Sequence, residues 1–180
     1  VFDFISRHEA VDARRIGIHG VSLGGYYAPR VAAFEPRFAL GVSWGANHNW
    51  GEVQRKRLAR EGERPVPHYW EHVRWVFGQP DMDSFLRFAS LMTLDGVLDR
   101  IRVPFLVTHG EKDRQIPLIY AHQPYEQLVN SPKRELKIFT EREGGVQHSS
   151  VENGSEACRV RAYLLVWTSA VVASFRKKEE

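Results

Sequence analysis

The sequence predicts an α/β domain, a mostly parallel sheet with helices on both faces, and three observations lead there. Short runs rich in β-branched and aromatic residues alternate with longer stretches of helical composition, the order expected of strands joined by helical crossovers. The first clear run leads through a glycine-flanked serine directly into a helical stretch. A polar, tryptophan- and histidine-rich segment then separates the second strand from the third.

In chain order, residues 2–11 contain the end of a helix, and Asp12 to Arg15 form a turn. Arg15 to His19 is the first strand, and Tyr26 to Phe34 is the helix after the serine. Pro29 falls inside that helix, where a proline forfeits a hydrogen bond and bends the early turns. Phe38 to Trp44 is the next strand. From Gly45 to Leu94 the pattern becomes helical, with Trp50, Trp70, Trp75, Phe77, Phe85 and Phe88 supplying more apolar surface than a surface connection needs. Residues 45–94 therefore read as a cap-like insertion over the strand ends, its helices broken by Pro65, Pro67 and Pro80. Arg102 to His109 resumes the sheet, with Pro104 near the start of the strand, where the lost donor matters least. Ile116 to Leu128 is a helix, Arg134 to Thr140 a strand, and Glu156 to Phe175 a long terminal helix.

The 180 residues suit one domain, and 43% hydrophobic with 26% charged residues is an ordinary soluble balance. The net charge of +3 comes from scattered Lys and Arg interleaved with acids, which argues against nucleic-acid binding. No apolar run is long enough to cross a membrane. With Cys158 as the single cysteine, the chain closes no internal disulfide and holds no cysteine-built zinc site. The expectation is a cytoplasmic protein acting on a small molecule without a cofactor, and compatible with a homodimer.

Ser22 stands at the centre of Gly20-Val21-Ser22-Leu23-Gly24, between a strand and a helix. A serine hydroxyl is a weak nucleophile until a base takes its proton, and a sharp strand-to-helix turn exposes it to one. A structural turn would have the same five residues, so partners matter. Asp113 follows the third strand and His148 lies in a glycine-rich loop after the fourth, so all three reach the same edge of a parallel sheet. The order serine, acid, histidine suits nucleophile, orienting group and base, since imidazole exchanges protons near neutral pH. Glu111 is the rival acid, and a surface or capping role is the bland reading of His148. Leu23 follows the serine, where its backbone N–H can face a developing oxyanion.

The stretches from Gly17 to Gly25, from Val107 to Pro117 and from Gly144 to His148 resemble the α/β-hydrolase superfamily. Within it, the chain looks like the branch containing bacterial dihydroxypseudooxynicotine hydrolases and fungal polyketide-shortening hydrolases, which cleave a carbon–carbon bond beside a ketone. The resemblance implies catalytic roles for Ser22, Asp113 and His148, and an oxyanion donor at Leu23. It also implies that residues 1–180 are the C-terminal portion of a single hydrolase domain, whose N-terminal strands and second oxyanion donor belong to an earlier part of the same protein. Ester or amide hydrolysis, as in a carboxylesterase or an acylaminoacyl-type peptidase, is the enzymatic alternative. A noncatalytic binding protein on the same fold is the alternative of a different class.

Trp44, His48 and Trp50 follow or end the second strand and are candidate substrate-binding residues, an aromatic wall with a hydrogen-bonding imidazole. His68-Tyr69-Trp70-Glu71-His72 fits the inverted zinc-protease pattern, with His68 and His72 on one helix face and Glu71 as base. Its place within the insertion, apart from the Ser22 set, favours packing by the aromatic residues instead, and no metal is expected.

Overall fold

The computed structural model describes residues 1–60, 66–150 and 154–176. A short helix α1 (Phe2–Ile5) and a turn of 3-10 helix (Ala13–Arg15) lead into β1 (Gly17–Val21), α2 (Gly24–Phe34) and β2 (Leu40–Trp44). Three helices follow, α3 (Trp50–Ala59), α4 (Tyr69–Val76) and α5 (Met82–Ser90). The chain then forms β3 (Phe105–Gly110), α6 (Ile119–Gln127), β4 (Arg134–Phe139) and α7 (Gly154–Arg176). Of the prolines expected to break the helices, Pro65 lies outside the described residues. No helix among those described is long and apolar enough to cross a membrane.

The four strands are parallel and stand in the order β1-β2-β3-β4. Each crossover steps in the same direction, so right-handed connections place α2 and α6 on one face, and α7 returns across the other. Packing follows the strand alternation. Phe105 and Val107 meet Tyr26 and Ala32 of α2 and Ala121 of α6, whereas Leu40, Val42, Trp44 and Leu106 meet Leu164, Trp167 and Val171 of α7. Because β2 and β3 are covered on both faces, they are buried along their whole length, and β1 and β4 are the partly exposed edges.

The first strand lies two residues beyond its expected start. Asp12 caps the turn at Ala13–Arg15 by accepting from Arg14 N–H at 3.0 Å, which takes Arg15 out of the sheet. At the other end Val21 pairs with Trp44, and Ser22 N–H donates to Trp44 O at 2.9 Å, so the ladder runs up to the serine.

In α3 to α5, side-chain caps and aromatic packing hold the helices together. Asn49 accepts from Glu52 N–H at 2.9 Å to start α3, and Asp81 accepts from Ser84 N–H at 2.7 Å to start α5. The fully buried Phe85 meets the edges of Trp50 and Trp70 at ring separations of 5.7 and 6.2 Å. Such aromatic pairs add about 0.5–1.5 kcal/mol beyond the area they bury. Trp75 does not join them and is exposed.

Pro29 sits inside α2 and is buried. A residue with an N–H there would donate it to the carbonyl of Gly25; proline leaves that carbonyl without its helical partner. The Ser43 hydroxyl of β2 takes its place, donating to Gly25 O at 2.9 Å within the core. Gly25 makes that approach possible, since a Cβ on it would lie 2.5 Å from Gly45 O. Ser43→Ala should therefore cost about 1–3 kcal/mol in urea melts, the penalty of an unpaired buried carbonyl. Adding Pro29→Ala, which restores the helical N–H, should recover part of the loss.

Candidate active site

Ser22 is held at φ 59°, in the left-handed region that residues with a side chain seldom adopt. Such a backbone costs on the order of 1–3 kcal/mol and persists only when its surroundings enforce it. Hydrogen bonds grip it on both sides: Ser22 N–H to Trp44 O, and Gly25 N–H to Ser22 O at 2.8 Å. A Cβ on Gly20 would lie 2.0 Å from Gly24 O, so the turn closes only with glycine at 20, whereas a Cβ on Gly24 would meet nothing within 4 Å. The steric demand of the turn therefore falls on Gly20 and not on Gly24. Leu23 caps the N-terminus of α2, and its N–H has no acceptor among the described residues.

The acid comes from the loop after β3. Asp113 Oδ1 accepts from Gln115 N–H at 2.8 Å and Ile116 N–H at 2.9 Å, which turns its other oxygen toward the sheet edge. His109, at the end of β3 and buried, ties the same loop by donating from Nε2 to Ile116 O at 3.1 Å. Glu111 points elsewhere, accepting from Glu141 N–H at 2.8 Å at the end of β4. His148 comes from the loop after β4, which rests on the Asp113 loop: Lys112 N–H donates to Val146 O at 2.9 Å. A Cβ on Gly110 would lie 2.3 Å from Val146 O, and one on Gly45, itself at φ 72°, would lie 2.8 Å from Ser149 Oγ and 3.7 Å from His148 Cε1. No local motif surrounds Gly45, and Gly110 lies within the stretch Val107 to Pro117, but the constraint on both comes from chain segments far away.

These loops bring Ser22, His148 and Asp113 into one hydrogen-bonded chain. Ser22 Oγ lies 2.7 Å from His148 Nε2, and His148 Nδ1 lies 2.7 Å from Asp113 Oδ2. An ionised carboxylate only accepts hydrogen bonds, so the imidazole proton sits on Nδ1 and the Nε2 lone pair faces the serine hydroxyl. The Asp113 side chain is wholly shielded from solvent. Burial pushes its carboxyl up, but the hydrogen bond and charge of His148, the Ile116 N–H and the charge of His109 outweigh it and leave its pKa below the ordinary value. Burial also holds the neighbouring His109 below the ordinary histidine value.

Ser22 and His148 open onto a cavity of about 440 Å³ at the C-terminal ends of the strands, where parallel α/β sheets bind their ligands. Two other clefts, of about 580 and 600 Å³, hold no such set: one lies among Arg14, Arg102 and Lys133, the other between the outer face of β1 and α7. Of the three expected substrate contacts, only Trp50 lines the Ser22 cavity. Trp44 shares the strand face of Leu40 and Val42, so alternation sends it to the α7 side, where it stacks on His19 at 5.8 Å. His48 turns away into the core, and its Nε2 lies 2.7 Å from Asp95 Oδ1. The cavity gains Asn47, Gln54, Arg57 and Tyr69 instead, which short motifs could not reveal. Of the zinc-protease pattern, His68 and Glu71 are exposed and His72 lines the cavity; no cluster of three or more metal-ligating side chains occurs among the described residues.

The profile of the prolyl oligopeptidase family matches residues 1–174. The 2,6-dihydropseudooxynicotine hydrolase of Paenarthrobacter nicotinovorans is 32% identical over 146 residues, covering 80% of this chain and 36% of that protein. A crystal structure of 2,6-dihydroxy-pseudo-oxynicotine hydrolase superposes with a TM-score of 0.70 at 25% identity, covering 96% of this chain and 44% of the other. The acylaminoacyl peptidase of Pyrococcus horikoshii shares the fold, with a TM-score of 0.61 at 19% identity over 92% of this chain and 25% of its own. The chain thus spans less than half the length of each of these relatives.

Because its pKa is lower in the folded chain than in the unfolded one, Asp113 stabilises the fold above the unfolded value of about 3.9, and that contribution fades as pH falls through the folded value. The stability gap between the parent protein and Asp113→Asn, read from urea melts, should be full at neutral pH and shrink below about pH 4.

Proposed function

Since the chain belongs to the prolyl oligopeptidase family, whose relatives are α/β-hydrolases, we propose that it carries the nucleophile, base and orienting acid of a serine hydrolase. The observation that supports this most directly is the unbroken hydrogen-bond chain Ser22–His148–Asp113. Ser22 Oγ attacks a substrate carbonyl while His148 Nε2 takes its proton, and Asp113 holds the imidazole in the required tautomer and offsets the imidazolium charge. The Leu23 N–H faces the developing oxyanion at the helix N-terminus; a second donor comes from a part of the protein outside these residues. One such donor is worth about 3 kcal/mol, or roughly a hundredfold in turnover.

Collapse of the tetrahedral species breaks the bond to the leaving group, which departs with the proton held by His148. Water then attacks the acyl-enzyme, gives a proton to the same imidazole and regenerates the serine. For a 1,3-diketone the bond that breaks is carbon–carbon, and the leaving enolate takes the proton on carbon. The 32% identity to 2,6-dihydropseudooxynicotine hydrolase favours cleavage beside a ketone in an aromatic or polyketide-like substrate. The segment 45–94 serves as the cap of this pocket, with Trp50 as its aromatic wall. The match to a peptidase family favours ester or amide hydrolysis as the second reading.

Turnover of a short aryl ester, a blocked peptide and a 1,3-diketone by the protein containing this chain separates these readings. Ser22→Ala should lower kcat on whichever substrate is cleaved by about 10⁴-fold or more without loss of fold. Full activity in that variant would remove Ser22 from the chemistry, and inactivity of the parent protein on all three would favour a binding role.

A further inference from the structure

The cavity beside Ser22 has an asymmetric charge. No aspartate or glutamate is among its described lining residues, and Arg57 of α3 reaches its wall. Arg15 pairs with Asp12 and Arg37 with Asp3 and Glu35, whereas Arg57, like Arg30 and Arg102, has no carboxylate partner among the described residues. It is nevertheless held in place. Its guanidinium lies 4.3 Å from the centre of the Tyr69 ring, and one N–H donates to Gln115 Oε1 at 3.1 Å. Tyr69 is itself fixed by donating its hydroxyl to the buried Gln54 Oε1 at 2.5 Å, and Gln115 N–H is fixed by Asp113 Oδ1. A guanidinium carries five donors, and stacking on a ring leaves its edge free for an oxygen ligand.

We propose that Arg57 forms an anion-reading subsite of the Ser22 cavity, so that the substrate is a carbonyl compound carrying a carboxylate on its acyl portion. The proposal rests on the hydrolase reading above. Arg57 stands only one hydrogen bond from the loop that orients His148, so a carboxylate it holds keeps the acyl chain within the same pocket as the nucleophile. The wall has a complementary acceptor in Asn47, whose Oδ1 is buried without a hydrogen-bond partner and can receive an O–H or N–H of the same substrate. Tight gripping at one end of a small acyl chain is how a pocket turns binding into orientation at the reacting carbon.

The test compares mono-4-nitrophenyl glutarate with its methyl ester, which differ in charge and little in shape. The parent protein should cleave the carboxylate ester with the higher kcat/KM, by about tenfold or more, the scale of one charge-assisted hydrogen bond. Arg57→Gln should bring the ratio of the two esters toward one and Arg57→Lys should keep part of it, whereas Arg55→Gln, which removes an exposed charge on the same helix, should leave the ratio where it was. Free glutarate should inhibit cleavage of the methyl ester competitively in the parent protein, a measurement that needs no variant to fold. Equal kcat/KM for both esters in the parent protein, or an unchanged ratio in Arg57→Gln, overturns the subsite and leaves the hydrolase reading standing. Failure to cleave either ester, with Ser22 intact, overturns the carboxylate-bearing substrate and leaves the hydrolase reading to be decided by the 1,3-diketone and the blocked peptide.

Discussion

Ser22 and His148 are 126 residues apart, and the 2.7 Å hydrogen bond between them is the contact on which the rest of the arrangement depends. It can form only if the loops after β1, β3 and β4 end at one edge of the sheet, which parallel strands in the order β1-β2-β3-β4 ensure. The edge is crowded, and three glycines relieve it. A side chain on Gly20 would strike Gly24 across its own turn, and one on Gly45 or Gly110 would strike the loop that carries His148. Their absence of a Cβ lets the turn at Ser22, the end of β2 and the histidine loop close over one another.

The same packing shapes the electrostatics. A carboxyl as deeply buried as Asp113 would favour its neutral form if burial acted alone, yet two backbone N–H groups and the His148 ring hold it ionised. An ionised, immobile acceptor leaves the imidazole a single productive tautomer, and charge interactions within such a shielded site are stronger than in water. Around this core the helices α3 and α4 supply a cavity wall that is apolar at Trp50 and cationic at Arg57.

What the sequence revealed divides along physical lines. Strand and helix order, and the three side chains that meet at the sheet edge, were legible because each depends on a short stretch: a β-branched run, a glycine-flanked serine, a loop acid after a strand. The start of β1 shifted because the Asp12 cap draws Arg15 into a 3-10 turn, a contact that the β-branched run itself does not mark. Pro29 looked costly because its compensation, the Ser43 hydroxyl, lies on another strand. Trp44 and His48 were placed at the substrate by proximity in sequence, but strand alternation turned one to α7 and the pairing with Asp95 holds the other. Arg57 and Asn47 escaped notice for the converse reason: nothing local marks them, and only the folding of α3 against the Asp113 loop gives them a shared cavity.

The central claim is that the hydroxyl of Ser22 is made nucleophilic by the imidazole of His148. The most direct measurement is the rate at which an aryl fluorophosphonate forms a covalent adduct with the protein containing this chain, with the modified peptide identified by mass spectrometry. The account predicts one adduct, on Ser22, that forms at least about a thousandfold more slowly in His148→Ala. An adduct on another residue, or a rate at Ser22 indifferent to the loss of the imidazole, would contradict it.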